Sequence, residues 1–294
     1  MTRGPAATPE LAARRAVAQA GAAAVPPPGV QVSDKALGGV PVMAVRPDSA
    51  TGDDRSMLWF HGGGYRMGSA RAFTAWNCAL AVAGGCEVLS VDYRLAPERP
   101  YPEALIDAVL AYTALLDSGR RVLVGGESAG AGLAAALMLA AADRGLAAPV
   151  AAVLCSPWLD LSNSAASFTD NAGTDEIFSR QSADQAAAIY LGGHPATDPY
   201  VSPLWGEWTA AGPPILVQAS RDESLRDDAV RFGDIASTAR IQLFDGLPHV
   251  WHLGYPQAPG SVEAVEGIVR FLDEFAAPAR LAESAGAPGI RGNR

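Results

Sequence analysis

Residues 122–133 read VLVGGESAGAGL, and no other stretch restricts the fold as tightly. The apolar run 122–124 has the character of a buried strand, and an Ala/Leu-rich helical pattern begins near Ser128 and reaches about Arg144. Between them Gly126 and Gly130 flank Ser128 in a G-x-S-x-G arrangement. A strand that reverses so abruptly into a helix holds its central residue in a strained conformation. The residues two before and two after must then be nearly free of side chain. Such a turn lifts the Ser128 hydroxyl clear of a sheet and aims a helix N-terminus at it. Plain turns also gather serine and glycine, so the motif needs partners elsewhere in the chain. Gly130, Gly132 and Ala135 also fit the dinucleotide pattern G-x-G-x-x-A. That pattern needs its first glycine directly after a strand and an acid about 20 residues later. Here the strand ends near Gly125 and the first acid beyond residue 145 is Asp160, so both conditions fail.

The surrounding chain alternates in the way such a turn requires. Pro9 and Glu10 mark a helix start, an Ala-rich run continues to about Ala24, and Pro26, Pro27 and Pro28 stop it. Residues 30–34 and 40–46, separated by Gly38 and Gly39, predict a β-hairpin. A short apolar strand at 56–60 runs into His61 and the triplet Gly62, Gly63, Gly64. Helix 72–83, strand 87–91, helix 103–117, the central strand and helix, and strand 150–155 follow. Strands alternating with helices predict a mostly parallel sheet covered on both faces. The alternation stops after Ser156: residues 161–208 are polar, with one predicted helix at 182–190 and no strand. An insertion of that length in a regular alternation is expected to cover a site. Strand 214–218, helix 225–236, strand 240–244 and helix 262–275 restore the pattern, and 283–294 read as a frayed tail.

Composition narrows the partners. A net charge of −9 disfavours nucleic acid and anionic membrane. No apolar run reaches the length of a membrane span, and the first residues lack the apolar stretch of a signal peptide, so a cytoplasmic protein is expected. Cys78, Cys86 and Cys155 are odd in number, lack C-x-x-C spacing and read as reduced core residues.

Ser128 needs a base, and the base needs an orienting acid. Of the four histidines, His249 follows the last predicted strand in a short loop and is the preferred base. His252 is the rival; His194 falls in the insertion, and His61 is expected to brace the glycine loop. For the acid, Asp222 lies just past a strand end, where α/β sites collect their side chains. Asp227 and Asp228 fall in the next helix and are expected to face solvent, while Asp245 stands too close to His249. The backbone N–H groups of Gly63, Gly64 and Ala129 are the candidate donors for a developing oxyanion. Trp158, Tyr190, Trp205 and Trp208 are candidate pocket walls.

These motifs, HGGGYRMG from His61, DYRLAPE from Asp92, GESAG from Gly126, DESLRDD from Asp222 and HVWH from His249, resemble the hormone-sensitive-lipase-like, bacterial family IV esterases. The resemblance covers about residues 30–275 and is nearest to monoterpene-lactone-hydrolase-like members. It implies an α/β-hydrolase fold in a single domain, with a mostly parallel eight-stranded sheet and a helical cap. The cap is expected from about 1–28 and 161–208, and the core from about 30–160 and 209–276. It further implies Ser128, Asp222 and His249 as catalytic triad, Gly63, Gly64 and Ala129 as oxyanion hole, and no metal or cofactor. Hydrolysis of short or compact carboxylic esters through an acyl-enzyme is the expected activity. A lactone hydrolase, a pathway-specific deacylase or acyltransferase, and a non-catalytic ligand-binding protein are the alternatives. The plant gibberellin receptors resemble the same family without the histidine, which is present here as His249. The role of Glu127, where many members carry Asp or Thr, and the oligomeric state, a homodimer included, stay open.

Overall fold

The computed structural model describes residues 4–20, 25–50 and 54–277; the predicted tail at 283–294 lies outside them. Eight strands form one sheet: β1 (Val30–Leu37), β2 (Val40–Pro47), β3 (Arg55–Phe60), β4 (Glu87–Val91), β5 (Arg121–Glu127), β6 (Ala151–Cys155), β7 (Ile215–Ser220) and β8 (Ala239–Phe244). Their order is β1-β2-β4-β3-β5-β6-β7-β8. The β1–β2 hairpin turns at Gly38 and Gly39 and joins β4 antiparallel; every other pairing is parallel. The β3–β7 strands carry near-continuous apolar runs because helices cover both their faces.

The helices are α1 (Pro9–Ala20), α2 (Thr74–Gly84), α3 (Glu103–Asp117), α4 (Ala129–Asp143), α5 (Ser167–Asp170), α6 (Arg180–Leu191), α7 (Arg226–Ile235) and α8 (Ser261–Phe275). Helix α4 is apolar all round, and its residues 129–141 are buried under the other helices. One core layer joins α3, α4, α6 and α7 to the sheet; the other joins α2 and α8 to its opposite face. Cys78, Cys86 and Cys155 are buried and stand outside any disulfide. No helix among the described residues is long and apolar enough to cross a membrane.

The insertion after β6 carries α5 and α6 and no strand. Tyr190 of α6 stacks on Tyr65 in the glycine loop at 3.9 Å between centroids. Helix α1 is anchored through Arg15, whose guanidinium donates to the Arg66 and Ala96 carbonyls and to Glu98. Asp228 departs from the sequence expectation. It is fully buried, and its carboxylate accepts from the Leu159 and Asp160 N–H groups. The side of α7 that carries it turns inward against the loop leaving β6.

Candidate active site

At the end of β5 the chain turns on Ser128, whose φ of 56° and ψ of −122° lie in a region that ordinary residues avoid. The two glycines make the turn feasible. A Cβ on Gly130 would stand 1.9 Å from the Phe60 carbonyl oxygen, and one on Gly126 would stand 2.5 Å from the Gly130 backbone. The Ser128 amide donates to Cys155 O at 2.9 Å, which fixes the turn against β6.

The loop after β8 brings His249 over this turn. His249 Nε2 and Ser128 Oγ are 2.9 Å apart. Nδ1 lies 2.6 Å from Glu223 Oε2, and the second oxygen, Oε1, accepts from Ser220 N–H at 2.8 Å. A carboxylate can only accept here, so Nδ1 carries the hydrogen and Nε2 is left to accept from the serine hydroxyl. Phe178 stacks on the imidazole with centroids 5.5 Å apart. All three side chains are nearly sealed from solvent.

The acid in this chain of hydrogen bonds is therefore Glu223 and not Asp222. Asp222, next in the turn, points away, and its Oδ2 accepts from Gly246 N–H at 2.6 Å. The insertion fixes this choice. Asn171 donates its amide to the Arg221 and Glu223 carbonyls, Thr174 donates to the Asp222 carbonyl, and Asp175 accepts from Ser224 N–H. Held on one side, the turn can only direct Glu223 inward. The sequence offered two adjacent acids and no local signal to separate them.

The other histidines are placed elsewhere. His252 is fully buried, 3.1 Å from Gln218 Oε1 and between Trp76 and Trp251. Burial and the neighbouring His249 hold its pKa down to about 3, which keeps it neutral. His61 bonds the Gly62 carbonyl through Nδ1 and stacks on Tyr93, which itself donates to the His61 carbonyl. It braces the glycine loop as expected. His194 pairs with Asp198 and lies away from Ser128's partners. Asp245 is exposed and pairs with Arg221.

The glycine loop passes beside the serine: a Cβ on Gly62 would sit 3.3 Å from Ser128 Cβ. Gly63 and Gly64 take φ values of 115° and 61°, which turn their amides without side-chain cost. Gly62 N–H is already engaged, donating to Glu127 Oε1 at 2.7 Å, while Trp59 Nε1–H donates to Oε2 at 2.5 Å. Glu127 thus ties the loop to the sheet. Burial raises its pKa to about 8, against the opposing effect of the two N–H donors. Ala129 N–H opens helix α4, where the first amides have no intrahelical acceptor.

A cavity of about 170 Å³ opens onto Ser128 and His249. Its apolar wall is Met67, Phe73, Ile177, Phe178, Val250 and Leu253. None of the predicted aromatic walls lines it. Trp158 and Tyr190 are core residues, Trp208 packs edge-on against Phe232, and Trp205 is half-exposed on a different surface. Their size made them attractive, but large aromatics in this chain are used mainly as core.

The family model described as alpha/beta hydrolase fold matches residues 57–253. The chain belongs to the alpha/beta hydrolase family. An acetyl-hydrolase of Streptomyces hygroscopicus is 39% identical over 235 residues, covering 78% of each chain. An esterase of Acinetobacter venetianus is 32% identical over 253 residues, covering 83% of this chain and 82% of its own. Among solved structures, an esterase from the bacterial hormone-sensitive lipase family superposes with a TM-score of 0.82 at 34% identity, covering 92% of this chain and 99% of that one. Another structural neighbour of this hydrolase, a hormone-sensitive lipase from a metagenome library, superposes with a TM-score of 0.86 at 30% identity, covering 91% of this chain and 94% of that one.

Proposed function

We propose that this alpha/beta hydrolase is a serine carboxylesterase acting on small esters through an acyl-enzyme. The chain is an ester-hydrolysing enzyme of its family, and the relatives named esterase and acetyl-hydrolase agree with that. The observation that carries the finer reading is the unbroken Ser128–His249–Glu223 hydrogen-bond chain at the floor of an apolar cavity.

In this mechanism His249 Nε2 takes the hydroxyl proton as Ser128 Oγ attacks the ester carbonyl, and Glu223 stabilises the imidazolium through Nδ1–H. The tetrahedral oxyanion is held by the N–H groups of Gly63, Gly64 and Ala129, each such donor being worth about 3–4 kcal/mol at the transition state. His249 then protonates the leaving alcohol, and a water activated by the same nitrogen releases the acid. Helix α1 and the insertion 161–208 act as the cap, since both contribute residues to the cavity wall.

The small cavity supports short acyl groups or compact esters. The lactone reading uses the same residues and rests only on the sequence resemblance. A series of 4-nitrophenyl esters from acetate to palmitate tests the proposal, with kcat/KM expected to peak at short acyl chains. A fluorophosphonate probe should label Ser128 alone. Label mapped to Ser156 or Ser220, or activation on palmitate emulsions, refutes the assignment.

A further inference from the structure

Two arginines in the cavity wall have no part in the chemistry above. Arg66 follows the glycine loop and is buried, and its side chain folds back so that Nε lies 3.8 Å from where a Cβ on Gly64 would stand. One end, Nη2, reaches Ser182 of α6, 3.2 Å from Oγ and 3.4 Å from the carbonyl oxygen. Arg14 of α1 lines the same cavity from an exposed position at its rim. Its neighbour Arg15 is fully engaged by Glu98 and backbone carbonyls. Among the described residues, no carboxylate forms an ion pair with Arg14 or Arg66. Glu127 also lines the cavity, but each of its oxygens already accepts an N–H, from Gly62 and Trp59.

The Arg66 guanidinium is hydrogen-bonded to Ser182 but has no anionic partner, and a partly desolvated cation gains from one. Burial first, and then the charge of Arg14, lowers the Arg66 pKa, as expected for two cations sharing a site without a counter-ion. The chain as a whole carries a net charge of −9, and these two arginines place positive charge on the cavity wall. We propose that the cavity selects esters bearing an oxyanion, a carboxylate or phosphate group that stands between Arg66 and Arg14 while the ester carbonyl faces Gly63 and Gly64. With Nη2 engaged by Ser182, Arg66 offers either anion its charge and its remaining N–H groups. This selection rests on the serine-esterase reading and adds to it a class of substrate.

The test compares charged and neutral members of matched pairs on the purified full-length protein. Mono(4-nitrophenyl) succinate against its methyl ester places the charge on the acyl side. On the alcohol side, 4-acetoxybenzoate is compared with its methyl ester, and 4-acetoxyphenyl phosphate separates phosphate from carboxylate recognition. The anionic member of at least one pair should be favoured in kcat/KM by about tenfold or more, mainly through KM. Added salt should reduce the ratio. Arg66→Gln and Arg14→Gln should each lower it, and Arg66→Lys, which keeps the charge without the guanidinium N–H groups, should retain part. If Arg66 only braces α6, Arg66→Gln will slow both members equally and leave the ratio unchanged, which overturns the proposal. Ratios at or below one in every pair, with 4-nitrophenyl acetate turned over, also overturn it and leave the esterase standing. A folded enzyme that turns over none of the esters removes both.

Discussion

Replacing Glu223 by Gln separates the two acids more sharply than any deletion, because it preserves shape. Glu223 Oε1 accepts from the buried Ser220 N–H at 2.8 Å and Oε2 from His249 Nδ1 at 2.6 Å. A glutamine has one oxygen for these two donors. The backbone amide cannot exchange its hydrogen for a lone pair, so the oxygen stays with Ser220 and the NH2 group faces Nδ1. The imidazole must then accept at Nδ1 and carry its hydrogen on Nε2, where it confronts the Ser128 hydroxyl as a second donor. The base is lost by tautomer with the geometry intact. The same inversion in another serine hydrolase lowers kcat by about 10⁴, or roughly 5.5 kcal/mol of activation free energy. Asp222→Asn still presents an oxygen to Gly246 N–H and touches neither His249 nor Ser128. It should hold kcat within about threefold and cost less than about 1.5 kcal/mol of stability. The assay is kcat on 4-nitrophenyl acetate, with circular dichroism and fluorophosphonate titration to count folded, labelled sites. Equal losses in the two variants, or an Asp222→Asn enzyme more damaged than Glu223→Gln, would refute the assignment of Glu223.

His249→Ala should lose as much rate as Ser128→Ala, while His252→Gln should keep substantial turnover; a dead His252→Gln beside an active His249→Ala reverses the choice of base. His252 stays neutral in the fold down to about 3 from an ordinary value of 6.5, so its stabilising contribution is full above 6.5 and is lost as pH falls toward 3. Urea titrations across that window should show a flatter acid limb in His252→Gln. Glu127 has the opposite sign. Its pKa rises from 4.5 to about 8, so its contribution is largest below 4.5 and declines as pH rises to about 8. The slope is up to about 1.4 kcal/mol per pH unit, and Glu127→Gln should remove it; an unchanged slope in the variant contradicts the buried-acid account. Gly130→Ala places a methyl 1.9 Å from the Phe60 carbonyl and should yield little native protein on expression, whereas Gly119→Ala meets no atom within 4 Å and should fold, with only the strain of its φ of 75°.

Much of the molecule is written locally. The strand and helix periods, the Gly38–Gly39 turn and the G-x-S-x-G spacing depend on neighbours within a few residues, and the eight-stranded sheet follows them closely. Ser128 was legible because only its own flanking glycines permit the turn. His249 and the loop-bracing part of His61 were legible from their positions at strand ends.

Tertiary structure decided what neighbouring residues of like chemistry could not. Asp222 and Glu223 are both acids in one turn, and the side chain that faces His249 is selected by Asn171, Thr174 and Asp175, roughly fifty residues distant in the chain. Asp228 looked like a surface residue because its partners, the amides of Leu159 and Asp160, belong to a loop from another part of the sheet. The cavity wall was equally hidden. Met67, Ile177, Phe178 and Leu253 come from three separate segments, and Arg14 and Arg66 meet only when α1 docks on the glycine loop. A periodic pattern reports which residues turn inward, but not which inward residues meet, and those meetings are fixed only when the elements pack.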